Sequence, residues 1–270
     1  MPHTEELLIG GTANRGLVVR VGDTVRRPLR PTSPAIHALL THLSDVGFAG
    51  APRFLGIDDR RREVLSYIPG QAVIPPYPAW ALTDAALISV ADLLRAYHEA
   101  VASFDPTGYN WAPGAPPPFR TGLISHNDPN LDNIIFRGDR AVALIDFDLA
   151  GPGSVVWDVA CAARLWAPLR VDRDIADARR GRALDRFRIF VDAYGLETAD
   201  RERLASAVLR NHDRSYDVVR DGARAGHPGF TDYWMDAADR ATRTRSWYLH
   251  NQHLLRAAVL DEPSQRTPAG

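Results

Sequence analysis

Between Ile124 and Gly151 the chain reads ISHNDPNLDNIIFRGDRAVALIDFDLAG. Three short apolar runs, LIS, NIIF and AVALIDF, bring polar residues to or just beyond their ends: Asp128, Asn133 and Asp146, with His126 two residues before the first. Short apolar runs bounded by turn signals read as buried strands. RGD between the last two is a tight-turn signal and predicts a hairpin. Asp128, Asn133 and Asp146 then fall at neighbouring strand ends facing one pocket. Two carboxylates and an amide are all oxygen donors, a set that suits Mg²⁺ better than zinc.

These residues resemble a known family. H-x-D-x-x-x-x-N, a hairpin, then an apolar strand ending I-D-F is the signature of the kinase-like phosphotransferases. HNDPNLDN followed by LIDFDLAGPG and WDVA is similar to the aminoglycoside phosphotransferase branch, which includes choline and fructosamine kinases. The resemblance implies an α+β, bilobal protein-kinase-like fold. Its small N-terminal lobe is an antiparallel sheet with one helix (residues 1–68), and its larger lobe is mainly helical and carries catalysis and substrate binding (69–270). It also implies that Asp128 faces the substrate hydroxyl with His126 bracing its loop, and that Asn133 and Asp146 hold Mg²⁺ on the phosphates of ATP. Asp158 of WDVA is expected to hydrogen-bond backbone near the catalytic loop, and Asp148 to touch metal or cap a turn.

Composition removes several classes. With 270 residues, 45% hydrophobic and 24% charged, the chain is that of a globular protein of one large or two modest domains. A net charge of −1 points to neither nucleic acid nor an anionic membrane. The single Cys161 excludes an internal disulfide and reads as a small buried side chain. MPHTEELLIGG lacks the basic and apolar regions of a signal peptide, and no apolar run is of bilayer-spanning length. A cytoplasmic location is the expectation.

The N-terminal third reads as strand (Glu5–Ile9), glycine-rich loop (Gly10–Gly16), strand (Leu17–Val21), turn and strand (Thr24–Leu29). Gly10 and Gly11 would let backbone N–H groups approach phosphate. All 32 Lys-or-Arg positions are arginine. The cation that the family uses to grip the α- and β-phosphates must therefore be an arginine. Arg27 has the parity of the A-x-K pattern, and Arg26 and Arg20 compete with it because register is not fixed by sequence. Ser33-Pro34 opens a helix that Gly47 ends, with Ser33 as its cap. It holds no acid before Asp45, and its best-placed residue for the family's helix Glu is His37, a departure from the pattern. Gly50–Gly70 reads as two strands about the turn IDDRRR; by resemblance, backbone at Ser66–Ile68 would meet an adenine edge.

Trp80–Phe104 has helical spacing, with Leu87, Val90, Leu93, Leu94, Tyr97 and Val101 on one face and His98 packed beside them. Asp105–Gly122 is rich in Pro and Gly and irregular. Helices follow from Ser154 through Leu165, over Arg173–Tyr194, from Thr198 to about Ala225 and, after HPGF, from Tyr233 to Leu260. Asp213, Asp217 and Asp221 recur at helical spacing, interleaved with Arg210, Arg214 and Arg220; this predicts a salt-bridged face and argues against a polycationic substrate. The activity expected is transfer of the ATP γ-phosphoryl group to a hydroxyl of a small molecule. The alternative is a weak or inactive kinase-like binding protein, because sequences sharing GDTVRRP and IDFDLAGPG include some labelled trifolitoxin-immunity-like.

Overall fold

The computed structural model describes residues 5–8, 16–226 and 228–260. Strands β1 (Glu6–Leu7), β2 (Val19–Val21), β3 (Thr24–Pro28), β4 (Phe54–Ile57) and β5 (Arg62–Ser66) form an antiparallel sheet in the order β1-β2-β3-β5-β4. Helix α1 (Ser33–Asp45) buries Ile36, Leu39, Leu40 and Leu43, the i, i+3, i+4, i+7 stripe that its sequence predicts. Its cap differs from expectation. Thr32 holds the N-cap position without a side-chain bond, while Ser33 lies in the first turn and its Oγ accepts from the Arg30 N–H at 2.9 Å. Gly47 ends the helix in the left-handed region, φ +81°.

A second sheet, β6 (Gln71–Ala72), β8 (Ile134–Arg137) and β9 (Arg140–Leu144), contains the predicted hairpin with Gly138 at its turn. β7 (Leu123–Ser125) pairs with neither of these strands but with β10 (Gly151–Gly153), the GPG that follows the IDF run. A Cβ on Gly153 would stand 2.2 Å from Ser125 Oγ, so only glycine lets the two backbones approach. Gly114, at φ +58°, docks the irregular 105–122 segment onto the same ribbon, where Ala115 N–H donates to Pro152 O at 2.8 Å.

The helical body is built on α2 (Asp84–Val101), capped by Thr83, whose hydroxyl accepts from Ala86 N–H. Its face of Leu87, Val90, Leu94 and Tyr97 is fully buried, each such side chain contributing about 2 kcal/mol. Tyr97 hydroxyl donates to Ile124 O at 2.9 Å and so fixes β7, the strand that leads into the His126–Asn133 loop. Helices α3 (Val155–Trp166), α4 (Ala183–Tyr194), α5 (Thr198–Arg224), α6 (Pro228–His250) and α7 (Gln252–Leu260) complete it.

Two expected helices are corrected. Residues 173–182 do not join α4, because side chains there take the backbone bonds a helix would need. Asp177 accepts from Arg179 N–H, Asp172 accepts from Gly181 N–H, and Gly181 sits at φ +77°. The span Tyr233–Leu260 is two helices that break at Asn251, whose side-chain amide donates to Trp247 O at 2.8 Å. No helix among the described residues is long and apolar enough to cross a membrane.

Candidate active site

His126, Asp128 and Asn133 lie on the loop between β7 and β8. His126 is fully buried, with Nε2–H donating to Ile145 O at 3.0 Å and Nδ1 accepting from Asp128 N–H at 3.3 Å. Burial lowers its pKa and keeps the ring neutral, as both bonds require. The geometry makes it a brace rather than a group that touches a substrate. Asp158 on α3 ties the same loop down, accepting from His126 N–H at 2.7 Å and Asn127 N–H at 2.8 Å. His98 binds Asp158 at 3.1 Å and the Tyr194 hydroxyl at 2.7 Å, a packed helix residue as expected. Asn127 is left-handed, φ +64°, a sharp turn that those anchored N–H groups hold in place.

Asp128 accepts from Asn133 Nδ2 through both its backbone O and Oδ2, each at 2.9 Å. Burial, then repulsion from Asp146 and Asp132, pushes the Asp128 carboxyl up to about 7. The charge of Asp146 is thus felt at Asp128. Asn133 and Asp146 are joined more directly: Ile145 N–H donates to Asn133 O at 2.9 Å, extending the β8–β9 ladder to the residue before Asp146. Asp146 itself is left-handed, φ +60°, which turns its carboxylate off the strand line.

Both Nδ2 bonds of Asn133 go to Asp128, so its amide oxygen is the end left for a ligand. Among the described residues no group of three or more His, Cys, Asp or Glu could hold a metal by itself. An amide oxygen and a carboxylate on one hairpin end suit an ion that takes its other ligands from phosphate and water, the usual habit of Mg²⁺. The residues fit that ion.

Arg27 separates from its competitors. Its guanidinium is buried and meets three carboxylates: Nε donates to Glu63, Nη1 to Asp146 at 2.9 Å, and Nη2 to Asp148 at 2.7 Å. Arg26 points to the opposite face of β3 toward Asp58, 3.6 Å away, and Arg20 stacks on the Tyr67 ring, 3.9 Å to its centroid. Asp148 also binds Arg30 Nε at 2.9 Å, so it serves as a counter-charge. As expected, α1 carries no acid before Asp45. The acid facing Arg27 is Glu63, its direct partner across β3 and β5, and His37 reaches Glu63 Oε2 from α1 at 2.7 Å while stacking on Phe54.

Ser66 is three residues from Glu63 along β5, roughly 10 Å. The N–H groups of Ser66 and Tyr67 bind Arg53 O and Asp23 O, and that of Ile68 is the segment's remaining donor among the described residues. Ser66 and Ile68 border a cleft of about 340 Å³ whose lining includes none of Arg27, Asp128, Asn133 or Asp146. Gly10 and Gly11 lie outside the described residues; the strands flanking them, β1 and β2, do pair.

The family model described as "Phosphotransferase enzyme family" matches residues 108–190. The trifolitoxin immunity protein of Rhizobium leguminosarum bv. trifolii is 32% identical over 276 residues, 95% of this chain and 99% of that protein. A choline/ethanolamine kinase family protein from Mesorhizobium loti superposes with a TM-score of 0.64 at 16% identity, over 95% of this chain and 92% of the other. Aminoglycoside 2'-phosphotransferase-IIIa, solved as a GDP complex, gives 0.59 at 13% identity, over 95% and 93%. At these identities the two structures establish a kinase-like fold.

Proposed function

The chain belongs to the phosphotransferase enzyme family, and from that premise we propose that it transfers the γ-phosphoryl group of ATP to a hydroxyl of a small molecule. What supports the reading is a chain of contacts: Asn133 binds Asp128, Ile145 N–H binds Asn133 O next to Asp146, and Asp146 binds the buried cation Arg27 of the other sheet. Bound Mg²⁺, held by Asn133 and Asp146, would supply neutralisation of charge between the β- and γ-phosphates.

The remaining work falls to the chain's own groups. Asp128 orients the acceptor hydroxyl and takes its proton late, as a loose transition state requires. Its raised pKa makes it a competent proton acceptor near neutrality. Arg27 grips phosphate with the N–H groups its carboxylates leave over, and Glu63 holds it in place. His126 and Asp158 keep the Asp128 loop in register. By the family resemblance, backbone at Ser66–Ile68 would meet the adenine edge; Gly10 and Gly11, expected to approach the phosphates, lie outside the described residues. The boundary between the two lobes falls after Ile68.

A second reading is a kinase-like protein that binds without phosphorylating. Two facts favour it: the near full-length similarity to an immunity protein, and the engagement of Arg27 by three carboxylates. A thermal shift with Mg²⁺–ATP separates the two, since a ligand that binds the native state raises the melting point. A metabolite-extract screen for ATP consumption, with Asp146→Ala as the blank, then looks for the acceptor. Asp128→Ala should abolish turnover with Tm within a few degrees of wild type; retained activity refutes the assignment.

A further inference from the structure

Helix α3 lies against the catalytic loop on both sides of Asp128. Cys161 Sγ donates to Asn127 O at 3.4 Å, and Trp166 Nε1–H donates to Pro129 O at 3.1 Å. Arg164 sits between these two contacts along α3. It stands one helical turn from Cys161, whose Sγ reaches the residue before Asp128. The guanidinium is held by neutral groups of α5, with Nε donating to Asn211 Oδ1 at 2.6 Å and Nη2 to Ser215 Oγ at 2.8 Å. Among the described residues no carboxylate is within ion-pair reach of it. Arg27, Arg179, Arg186 and Arg243, by contrast, all meet carboxylates. A fixed cation held by neutral groups, one helical turn from the contact to the Asp128 loop, is an anion-recognition arrangement.

The adjoining face of α5 gives an independent sign of the same charge. A cleft of about 350 Å³ is lined by Pro116, Arg210, Asp213, Arg214, Asp217 and residues one turn on. Its aspartates are already paired with arginines outside the lining: Asp213 with Arg245 at 2.9 Å, Asp217 with Arg220 at 2.7 Å, and Asp221 with Arg220 at 3.2 Å. Arg210 and Arg214 have no such partner among the described residues. Arg214 instead faces the charge of Arg120, and burial followed by that like charge lowers its pKa. The aspartate–arginine alternation therefore leaves the cleft with uncompensated positive charge.

We propose that Arg164 selects the phosphoryl acceptor, and that the acceptor is a small hydroxyl compound carrying a carboxylate or phosphate close to the hydroxyl. This rests on the phosphotransferase reading given above. Such an acceptor is the charge opposite of choline, ethanolamine or an aminoglycoside.

The test is calorimetric binding, without nucleotide, of four matched probes: D-glycerate, glycerol 3-phosphate, glycerol and choline. Mg²⁺–ATP is titrated separately into the same proteins. Wild type should bind one or both anions and neither of the others, and the preferred anion tells carboxylate from phosphate. Arg164→Gln should weaken that anion at least tenfold, Arg164→Lys should recover part of the loss, and Mg²⁺–ATP affinity should stay within twofold in both. Circular dichroism confirms the fold of each variant, and Arg214→Gln, at the rim, gives a second reading of the same positive field. Choline binding as well as D-glycerate, no anion binding at all, or an Arg164→Gln protein within twofold of wild type overturns the proposal. Arg164-dependent anion binding in a protein that takes up no Mg²⁺–ATP keeps the anion site and removes the phosphotransferase reading and the acceptor role with it.

Discussion

Arg27 and Glu63 face each other across β3 and β5, and the Arg27 Nε–H donates to the Glu63 carboxylate. Glu63 is 1% exposed. Removing its charge leaves a buried guanidinium short of one counter-ion, a change that costs about 3 kcal/mol in comparable cases. Glu63→Gln should therefore lower stability by about that amount in urea unfolding and weaken Mg²⁺–ATP binding at least tenfold. Arg27→Lys should do no better, because a point-like ammonium cannot span three carboxylates in separate directions.

Asp128 sets the pH dependence. Its folded pKa is about 7, against roughly 3.9 in an unfolded chain. Between those values the native state holds a proton the unfolded state has released, so stability falls as pH rises through that window and is level above it. The stability gained by Asp128→Asn should grow from pH 4 to 7 in thermal melts and then stop growing. In wild-type turnover, kcat/KM should fall on the acidic side with a midpoint near 7.

Asp146→Asn is the cleaner probe of the metal. Asparagine tolerates the left-handed backbone at φ +60° that alanine resists, so the fold should survive. The expected result is a thermal shift by ATP that no longer depends on Mg²⁺, with turnover falling at least a hundredfold.

Asp158→Asn should separate bracing from binding. Asp158 is fully buried and accepts from two backbone N–H groups and His98. An amide offers one oxygen where the carboxylate offers two, which leaves one buried N–H unmatched, at a cost of about 2 kcal/mol. Denaturant midpoints should drop accordingly and kcat should fall more than tenfold, with Mg²⁺–ATP affinity within threefold.

The parts legible in the chain were the local ones. The β8–β9 hairpin and the α2 face rest on short-range periodicity and turn chemistry, and each is where the pattern puts it; the Asp158 anchor was expected from the family resemblance alone. Parity along one strand was enough to favour Arg27 over Arg26. Glu63 was not legible as its partner, because it sits thirty-six residues away in a charged stretch and faces Arg27 only through the β3–β5 register. The pairing of β7 with β10 escaped for the same reason. The break at Asn251 has no glycine or proline to announce it; a side-chain amide bonding back to Trp247 does the work. Arg164 carried no motif at all, and only the packing of α3 between the catalytic loop and α5 gives it a meaning.

Asn133 and Asp146 hang from the same hairpin end, tied by the Ile145–Asn133 bond. Their spacing is thus a property of one ladder and does not change if the two sheets move apart. The Arg27–Asp146 contact does span them. A shift between the sheets would therefore alter the Arg27–Asp146 distance and leave the Asn133–Asp146 spacing as it is.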